Sequence, residues 1–281
     1  MSGLRENENN KTGRLVMKRT ILKWAGSKVG IMEQLRPHLP KAKRLVEPFA
    51  GSCAVMMNTD YEQYLIADIN DDLINLYREI SSGDYQRILN TAYGLFELES
   101  FESGYYVERE FFNRNKKFIN PADAAAYFIY LNRHCYNGLC RYNQSGGFNV
   151  PKGSYKKPYL PEEEIISFSK KAVNAEFKAQ SAGKTLQSVK LGDGVYCDPP
   201  YLGSFSGYSS GGFSEKEHEN LAYALLTLNL SLETPVTVSN SMAAKELYAD
   251  LGFTIHEIEA PRTIAANGNR KKVREIIAVL N

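Results

Sequence analysis

A strand that meets two prolines has to stop, and this chain stops one beside an acid. The apolar run Gly194-Val195-Tyr196-Cys197 reads as the end of a buried strand, and Asp198-Pro199-Pro200-Tyr201 follows it directly. Proline has no N–H to give to a ladder and its φ is fixed, so neither Pro199 nor Pro200 can extend the strand. An acid, a free backbone carbonyl and an aromatic ring therefore collect at a strand's carboxyl end, where open α/β sheets hold their ligands. The trio suits the holding of a planar amine. The Asp198 carboxylate and the Pro199 carbonyl can each accept one N–H of an exocyclic amino group, and Tyr201 offers a face to the ring that bears it. An Asp-Pro turn with Tyr201 in the core is the alternative that these four residues alone leave open.

The surrounding pattern supplies a sheet. Residues 44–49 read as a strand, with Ala50-Gly51-Ser52 as a tight turn after it. Residues 64–67 read as a second strand ending at Asp68, and 71–80 has helical spacing through Leu73, Ile74, Leu76, Tyr77 and Ile80. This order opens an α/β, Rossmann-like sheet. Further strands are expected at 175–178, 195–197, 235–238, 254–258 and 275–280. Ser214 and Glu217 form a capping box that starts a helix to about residue 229, and 243–251 is another helix. Between these parts the pattern changes. Residues 88–98, 105–118 and 121–131 look helical, and 135–160 is loop-like and rich in Gly and Pro. The division expected is a disordered extension (1–17), a catalytic domain (18–83 and 173–281) and an inserted, mainly helical domain (84–172). Residues 202–213, rich in Gly and Ser, are expected to be mobile. Gly183-Lys184-Thr185 imitates the end of a phosphate loop, but Lys178 stands where the earlier glycine is needed.

Composition narrows the function classes. With 43% hydrophobic and 23% charged residues among 281, this is an ordinary globular chain. No apolar run approaches a membrane span, and residues 1–18 lack the apolar core of a signal peptide. Cys53, Cys135, Cys140 and Cys197 include no CxxC pair, and His134 with Cys135 and Cys140 fits no zinc spacing. A reduced, cytoplasmic, metal-free protein is the simple expectation. A net charge of +2 does not announce a nucleic-acid binder, but its distribution is informative. Residues 124–161 contain no Asp or Glu, while Arg133, Arg141, Lys152, Lys156 and Lys157 alternate with Tyr136, Tyr142, Phe148, Tyr155 and Tyr159. Cations for phosphates and rings for bases make a DNA-contact composition.

Phe49-Ala50-Gly51 at the tip of the first strand lets a cofactor come close, and Asp68 at the next tip can accept from two ribose hydroxyls. Joined to the amine pocket on the same sheet edge, these point to S-adenosylmethionine and methyl transfer. Here the chain resembles the Dam family of DNA adenine-N6 methyltransferases, from about residue 18 to 280. Lys23-Trp24-Ala25-Gly26-Ser27-Lys28 is similar to the family's N-terminal cofactor motif, and Val46-Glu47-Pro48-Phe49-Ala50-Gly51 to its glycine motif. Ala67-Asp68-Ile69-Asn70 is similar to the acidic ribose motif, and residues 198–201 to the catalytic tetrad. Residues 136–143, with Phe148-Asn149-Val150-Pro151, resemble the segment that reads GATC. Two departures stand out: Cys53 replaces the second glycine of the cofactor loop, and Ser154 replaces a basic residue of some relatives.

The resemblance implies residue roles. Asp198, Pro199, Pro200 and Tyr201 would be catalytic. Trp24, Ala25, Gly26, Lys28, Glu47, Phe49, Ala50, Gly51, Ser52, Asp68, Ile69 and Asp198 would line the cofactor. Lys23 would contact the first guanine, Leu139 and Pro151 the thymine methyl, and Arg141 the later base pairs. Tyr136 would wedge beside the flipped adenine, and Asn137 would hold phosphate. Arg109, Arg133, Asn143, Tyr155 and Lys156 complete the expected contacts to double-stranded DNA. The expectation is a monomeric, site-specific adenine-N6 methyltransferase. A cytosine-N4 enzyme usually has Ser in place of Asp198, and a small-molecule N-methyltransferase usually has Asn. Cytosine-C5 chemistry needs a Cys after a Pro, whereas Cys197 precedes Asp198. A relative that binds DNA without catalysis is the non-enzymatic alternative, against which Asp68, Asp198 and Tyr201 speak.

Overall fold

The computed structural model describes residues 17–97, 102–203, 213–261 and 272–281. Among these residues seven strands form one sheet: β1 (Arg44–Glu47), β2 (Gln63–Asp68), β3 (Ala175–Ala179), β4 (Asp193–Cys197), β5 (Val236–Ser241), β6 (Thr254–Ala260) and β7 (Val273–Leu280). Their order is β3-β2-β1-β4-β5-β7-β6, and only β7 runs antiparallel to its neighbours. The order reverses between β1 and β4, so a crevice opens beyond the carboxyl ends of those two strands. Arg44 lies opposite Asp193 across that pair and holds it bidentately, Nε to Oδ1 at 2.8 Å and NH2 to Oδ2 at 2.6 Å. This fork pins the amino ends of β1 and β4 in register.

Alternation along each strand divides the apolar residues between the two faces. Leu45, Tyr64, Ile66 and Tyr196 enter one cluster, and Val46, Leu65, Val195, Cys197, Val236 and Val238 enter the other. The second face is covered by Leu221, Ala222 and Leu225 of a long helix (Glu215–Leu232) and by Tyr248 of a shorter one (Lys245–Asp250). On the first face lies α1 (Asp71–Ser81), whose buried Leu73, Ile74, Leu76, Tyr77 and Ile80 are the stripe expected from its spacing. Asn70 caps it by accepting from the N–H of Leu73, and Asp71 and Asp72 sit in its first turn, where the helix dipole favours acids.

Three further helices follow: α2 (Tyr85–Glu97), α3 (Glu102–Asn115) and α4 (Pro121–His134). Helix α4 is buried on nearly all sides and packs against α1 and α2. Its small Ala122, Ala125 and Ala126 let the helices lie close. Residues of α2, α3 and α4 share one apolar cluster with the first face of the sheet. The inserted segment is thus built onto the sheet.

Some boundaries differ from those expected. The first strand ends at Glu47 rather than Phe49, because Pro48 cannot donate to the ladder. The short helices Ala54–Met57 and Ala182–Leu186 carry too few residues to show a period; the second absorbs Gly183-Lys184-Thr185 behind a Ser181 cap. Residues 1–16, residues 98–101 and residues 204–212 of the Gly/Ser-rich loop lie outside the described residues.

Asn132 of α4 ties the amino-terminal segment to the loop after α4. Its Oδ1 accepts from Lys23 N at 2.9 Å, and its Nδ2 donates to Lys23 O at 2.8 Å and Gly138 O at 3.1 Å. Asn132 is fully buried, so truncation leaves three backbone groups without their partner. Asn132→Ala should lower unfolding free energy by roughly 2–4 kcal/mol in urea titration. A loss below about 0.5 kcal/mol, the level of an ordinary surface change, would contradict this.

Candidate active site

Residue 198 follows β4 immediately, which places Asp198 at the carboxyl end of the strand that adjoins β1. Its Oδ2 meets Lys28 Nζ at 2.6 Å. Its Oδ1 is buried and has no hydrogen-bond partner among the described residues. Lys28 Nζ also donates to Gly26 O at 2.7 Å and stands 5.0 Å from the centre of the Tyr201 ring. The Tyr201 hydroxyl donates to Glu275 Oε2 of β7 at 2.7 Å, which fixes the ring's tilt. Behind the loop, Leu202 N donates to Asn240 Oδ1 at 3.1 Å and Ser241 Oγ to Leu202 O at 2.7 Å. The tetrad is therefore held from β5 and β7 as well as from its own strand.

Among the described residues the site gathers Asp198, Glu47 and Glu275 around the single cation Lys28. Burial lifts the Asp198 carboxyl to about 6, against the pull of Lys28 and with a further push from Glu275. Glu47, at the tip of β1, is buried with Oε1 unpartnered among the described residues. Burial, then the charge of Asp198, raises it to about 8. Near neutrality the site thus holds a largely ionised Asp198 beside a largely protonated Glu47.

The glycine turn stands next to this pair. Gly51 has φ of +46°, and a Cβ on it would come within 2.9 Å of Trp24 Nε1. Only glycine lets the Trp24 ring lie against the turn. Cys53, in place of a second glycine, adopts φ of +56°. A small non-glycine residue thus carries the left-handed conformation, and the turn closes. Tyr77 donates to Gly51 O at 2.6 Å from below, and Ser52 Oγ to Ser27 Oγ at 3.0 Å ties the turn to the amino-terminal motif. Asp68 Oδ2 accepts from Gly51 N at 3.1 Å and Oδ1 from Asn70 N at 3.0 Å. Burial raises the Asp68 carboxyl while these backbone donors pull it down. Beside it Ile69 is 79% exposed, an apolar side chain held out to solvent. Phe49, just past the end of the first strand, packs edge-on to Phe213 at 5.9 Å.

The segment after α4 forms a second face. Tyr136 is 47% exposed, Asn137 has φ of +54°, and Gly138 is so close to Lys23 that a Cβ would fall 2.3 Å from that residue's Cβ. Lys23 Nζ sits 3.4 Å above the Tyr155 ring. Desolvation, then the nearby Arg133, lowers its pKa. Two isolated bridges, Cys135 with Lys152 and Tyr142 with Phe148, fold 135–152 into a narrow loop. Arg141 is exposed at its edge, with Nε donating to Asn149 Oδ1 at 2.8 Å. Leu139 is half-buried, and Pro151, Lys156 and Lys157 are exposed.

The base of this loop hangs on α1. Asn70 Nδ2 donates to Cys140 Sγ at 3.3 Å, and the Tyr142 hydroxyl donates to Asp72 Oδ2 at 2.8 Å, which Lys116 also holds at 2.6 Å. The loop is thus anchored two and four residues beyond Asp68.

Not every expected contact residue faces outward. Arg133 is a correction: it is buried, and its guanidinium donates to the carbonyls of Ile21 and Thr20. It fastens the amino-terminal segment instead of meeting solvent, because α4 sinks that face against the segment. Arg109 gives one N–H to Val150 O at 3.0 Å and supports the loop from α3. The Asn143 side chain closes its own turn, accepting from Gly147 N and Ser145 Oγ at 2.8 Å. Sequence reasoning missed Glu275 and Asn132, since neither lies in a motif; an acid inside the apolar strand β7 was the one signal for Glu275.

The protonated Glu47 has a measurable consequence. A folded-state value near 8 against an ordinary 4.5 means folding favours the protonated form. That contribution is complete below pH 4.5 and is lost as pH rises through 8. Glu47→Gln, a permanent mimic of the neutral acid, should melt close to wild type at pH 4.5 and increasingly above it toward pH 8. A melting difference that does not change over this range would refute the assignment.

Comparison with known proteins agrees with this geometry. The family model of the D12 class N6 adenine-specific DNA methyltransferases matches residues 24–264. The retron Ec67 DNA adenine methylase of Escherichia coli is 52% identical over 263 residues, covering 92% of this chain and 90% of that one. The DNA adenine methylase of Serratia marcescens is 41% identical over 272 residues, covering 93% and 98%. That of Escherichia coli strain K12 is 40% identical over 270 residues, covering 93% and 95%. A sheet with its acid at the switch point, a loop free of acids beside it and this match over most of the chain lead to one conclusion: the chain belongs to the D12 class of N6 adenine-specific DNA methyltransferases, and its substrate is adenine in DNA.

Proposed function

We propose that this enzyme takes the methyl group of S-adenosylmethionine and places it on N6 of an adenine flipped out of a GATC site in duplex DNA. The observation that carries the chemistry is Asp198, stranded at the end of β4 with one oxygen on Lys28 and the other unpartnered among the described residues. The residues present fit the cofactor. Gly51 leaves a surface free of side chain beside Trp24, Asp68 keeps lone pairs for ribose hydroxyls after its two backbone bonds, and exposed Ile69 can flank an adenine ring. Trp24, Ala25, Gly26, Phe49, Ala50 and Ser52 would complete that surface. The bound cofactor supplies an electrophilic methyl on a sulfonium.

The target adenine has to leave the stack, which costs on the order of a few kcal/mol. Stacking on Tyr201 and hydrogen bonds to Asp198 and to the Pro199 carbonyl offset that cost. The adenine N6 lone pair is delocalised into its ring and is a weak nucleophile. Accepting both N–H groups favours a more tetrahedral nitrogen, whose lone pair is freed for in-line attack. Positioning and electrostatics supply the acceleration.

Target choice falls to the loop after α4, in the inserted unit 84–172, which we take as the target-recognition domain. Arg141 is the candidate reader of a guanine edge, held in aim by Asn149. Tyr136 is the candidate wedge, Lys23 the contact to the first guanine, and Leu139 and Pro151 those to the thymine methyl. Asn137 and Lys156 would meet phosphates, as would Tyr155 through its hydroxyl. The test is methylation of GATC against single-base variants. Arg141→Ala should relax discrimination at the later positions by roughly 1–3 kcal/mol. Lys156→Ala should weaken all sequences alike and flatten the salt dependence. Full discrimination by Arg141→Ala, or a wild-type preference for another site, would overturn the recognition assignment.

A further inference from the structure

Lys28 belongs to the amino-terminal motif, and its role there would ordinarily be read as part of the cofactor surface. Its surroundings say something else. Its side chain is 6% exposed, and among the described residues its Nζ meets Asp198 Oδ2 at 2.6 Å, Gly26 O at 2.7 Å and the Tyr201 ring face at 5.0 Å. A buried ammonium is costly unless paired, and this one is paired to the acid of the amine pocket. Its backbone is fixed as well. Ser27 N donates to Trp24 O at 3.2 Å, and Ser27 Oγ accepts from Ser52 of the glycine turn at 3.0 Å.

We propose that Lys28 is the positioning residue of the amine pocket: by pairing with Oδ2 it keeps Asp198 anionic and leaves Oδ1 for the N–H of the target adenine. This rests on the amine-pocket reading above. The groups that bear on Asp198 are Lys28 before β1, Glu47 on β1, Tyr196 and Cys197 on β4, Tyr201 in its own loop and Glu275 on β7. Three of them are carboxyls once Asp198 itself is counted, and Lys28 is the cation among them. Burial already favours the neutral acid at Asp198, and Glu275 pushes the same way. Without Lys28 nothing in that set opposes protonation. A protonated Asp198 would present an O–H donor where an acceptor is needed, and the amine would lose the partner that frees its lone pair.

The experiment compares wild type, Lys28→Met and Lys28→Arg. Turnover at saturating S-adenosylmethionine and saturating duplex is followed against pH. In parallel, the Asp198 carboxyl is titrated by 13C NMR in the ligand-free proteins, with Asp198→Asn to identify the signal. For wild type the NMR midpoint should lie near pH 6, and the acid limb should report the same carboxyl as it titrates in the bound complex. In Lys28→Met both the limb and the NMR midpoint should rise by about one to three pH units, the range for loss of an adjacent opposite charge. Lys28→Arg should return both toward wild type. An unchanged NMR midpoint in Lys28→Met, or an unchanged acid limb with the whole defect in KM for S-adenosylmethionine, would overturn the proposal and leave Lys28 as a cofactor contact. The NMR arm needs neither DNA nor cofactor. Absence of methyl transfer by wild type would therefore sink the functional reading while the Lys28–Asp198 pair was still tested.

Discussion

The whole site hangs on a carboxylate that the backbone forces into an apolar edge. Strand β4 lies between β1 and β5 and is buried along its length. Pro199 and Pro200 end it, so Asp198 cannot be carried out to solvent by further strand. Its charge has to be met where it stands. Lys28 meets it from the amino-terminal motif, the Tyr201 ring shelters the ion pair, and Glu275 holds that ring in place. Each of these comes from a different part of the chain. The long-range architecture, with β1 and β4 adjacent and β7 inserted antiparallel beyond β5, is what brings them together.

A second dependence joins the two halves of the function. The turn that carries Asp68 runs straight into the cap of α1, and the same cap holds the loop of the proposed DNA-reading face through Cys140 and Tyr142. Asn132 does the same work on the other side, linking Lys23 to Gly138. The proposed base-contacting residues are therefore tied to the catalytic sheet by buried and partly buried hydrogen bonds. Loops that carry specificity are ordinarily the mobile part of an enzyme, and this one is stiffened from both flanks.

Much of this was legible in the sequence because local rules decide it. Proline ends a strand, a capping box starts the helix at Ser214, and the 3.6 spacing of Leu73, Ile74, Tyr77 and Ile80 faces one side. These needed no tertiary information. The Rossmann-like order followed, and the family resemblance was carried by the motifs at 23–28, 46–51, 67–70 and 198–201. What escaped was decided by distant packing. Arg133 sits in a basic, aromatic stretch and reads as a DNA contact, yet α4 buries it against Ile21. Glu275 reads as an ordinary strand residue until β7 is known to lie beside β5. Lys28 carries the motif's cofactor label, and only the geometry reveals its bond to Asp198. The short helices at Ala54–Met57 and Ala182–Leu186 hold about one turn each, too short for a periodic signal.

The central claim is that Asp198 accepts the target amine, and substitution of that one residue addresses it. Methyl transfer from labelled S-adenosylmethionine to a GATC duplex should vanish in Asp198→Ala. Duplex affinity should stay within about tenfold of wild type, since phosphate contacts dominate it. Turnover near the wild-type rate in that variant would contradict the account.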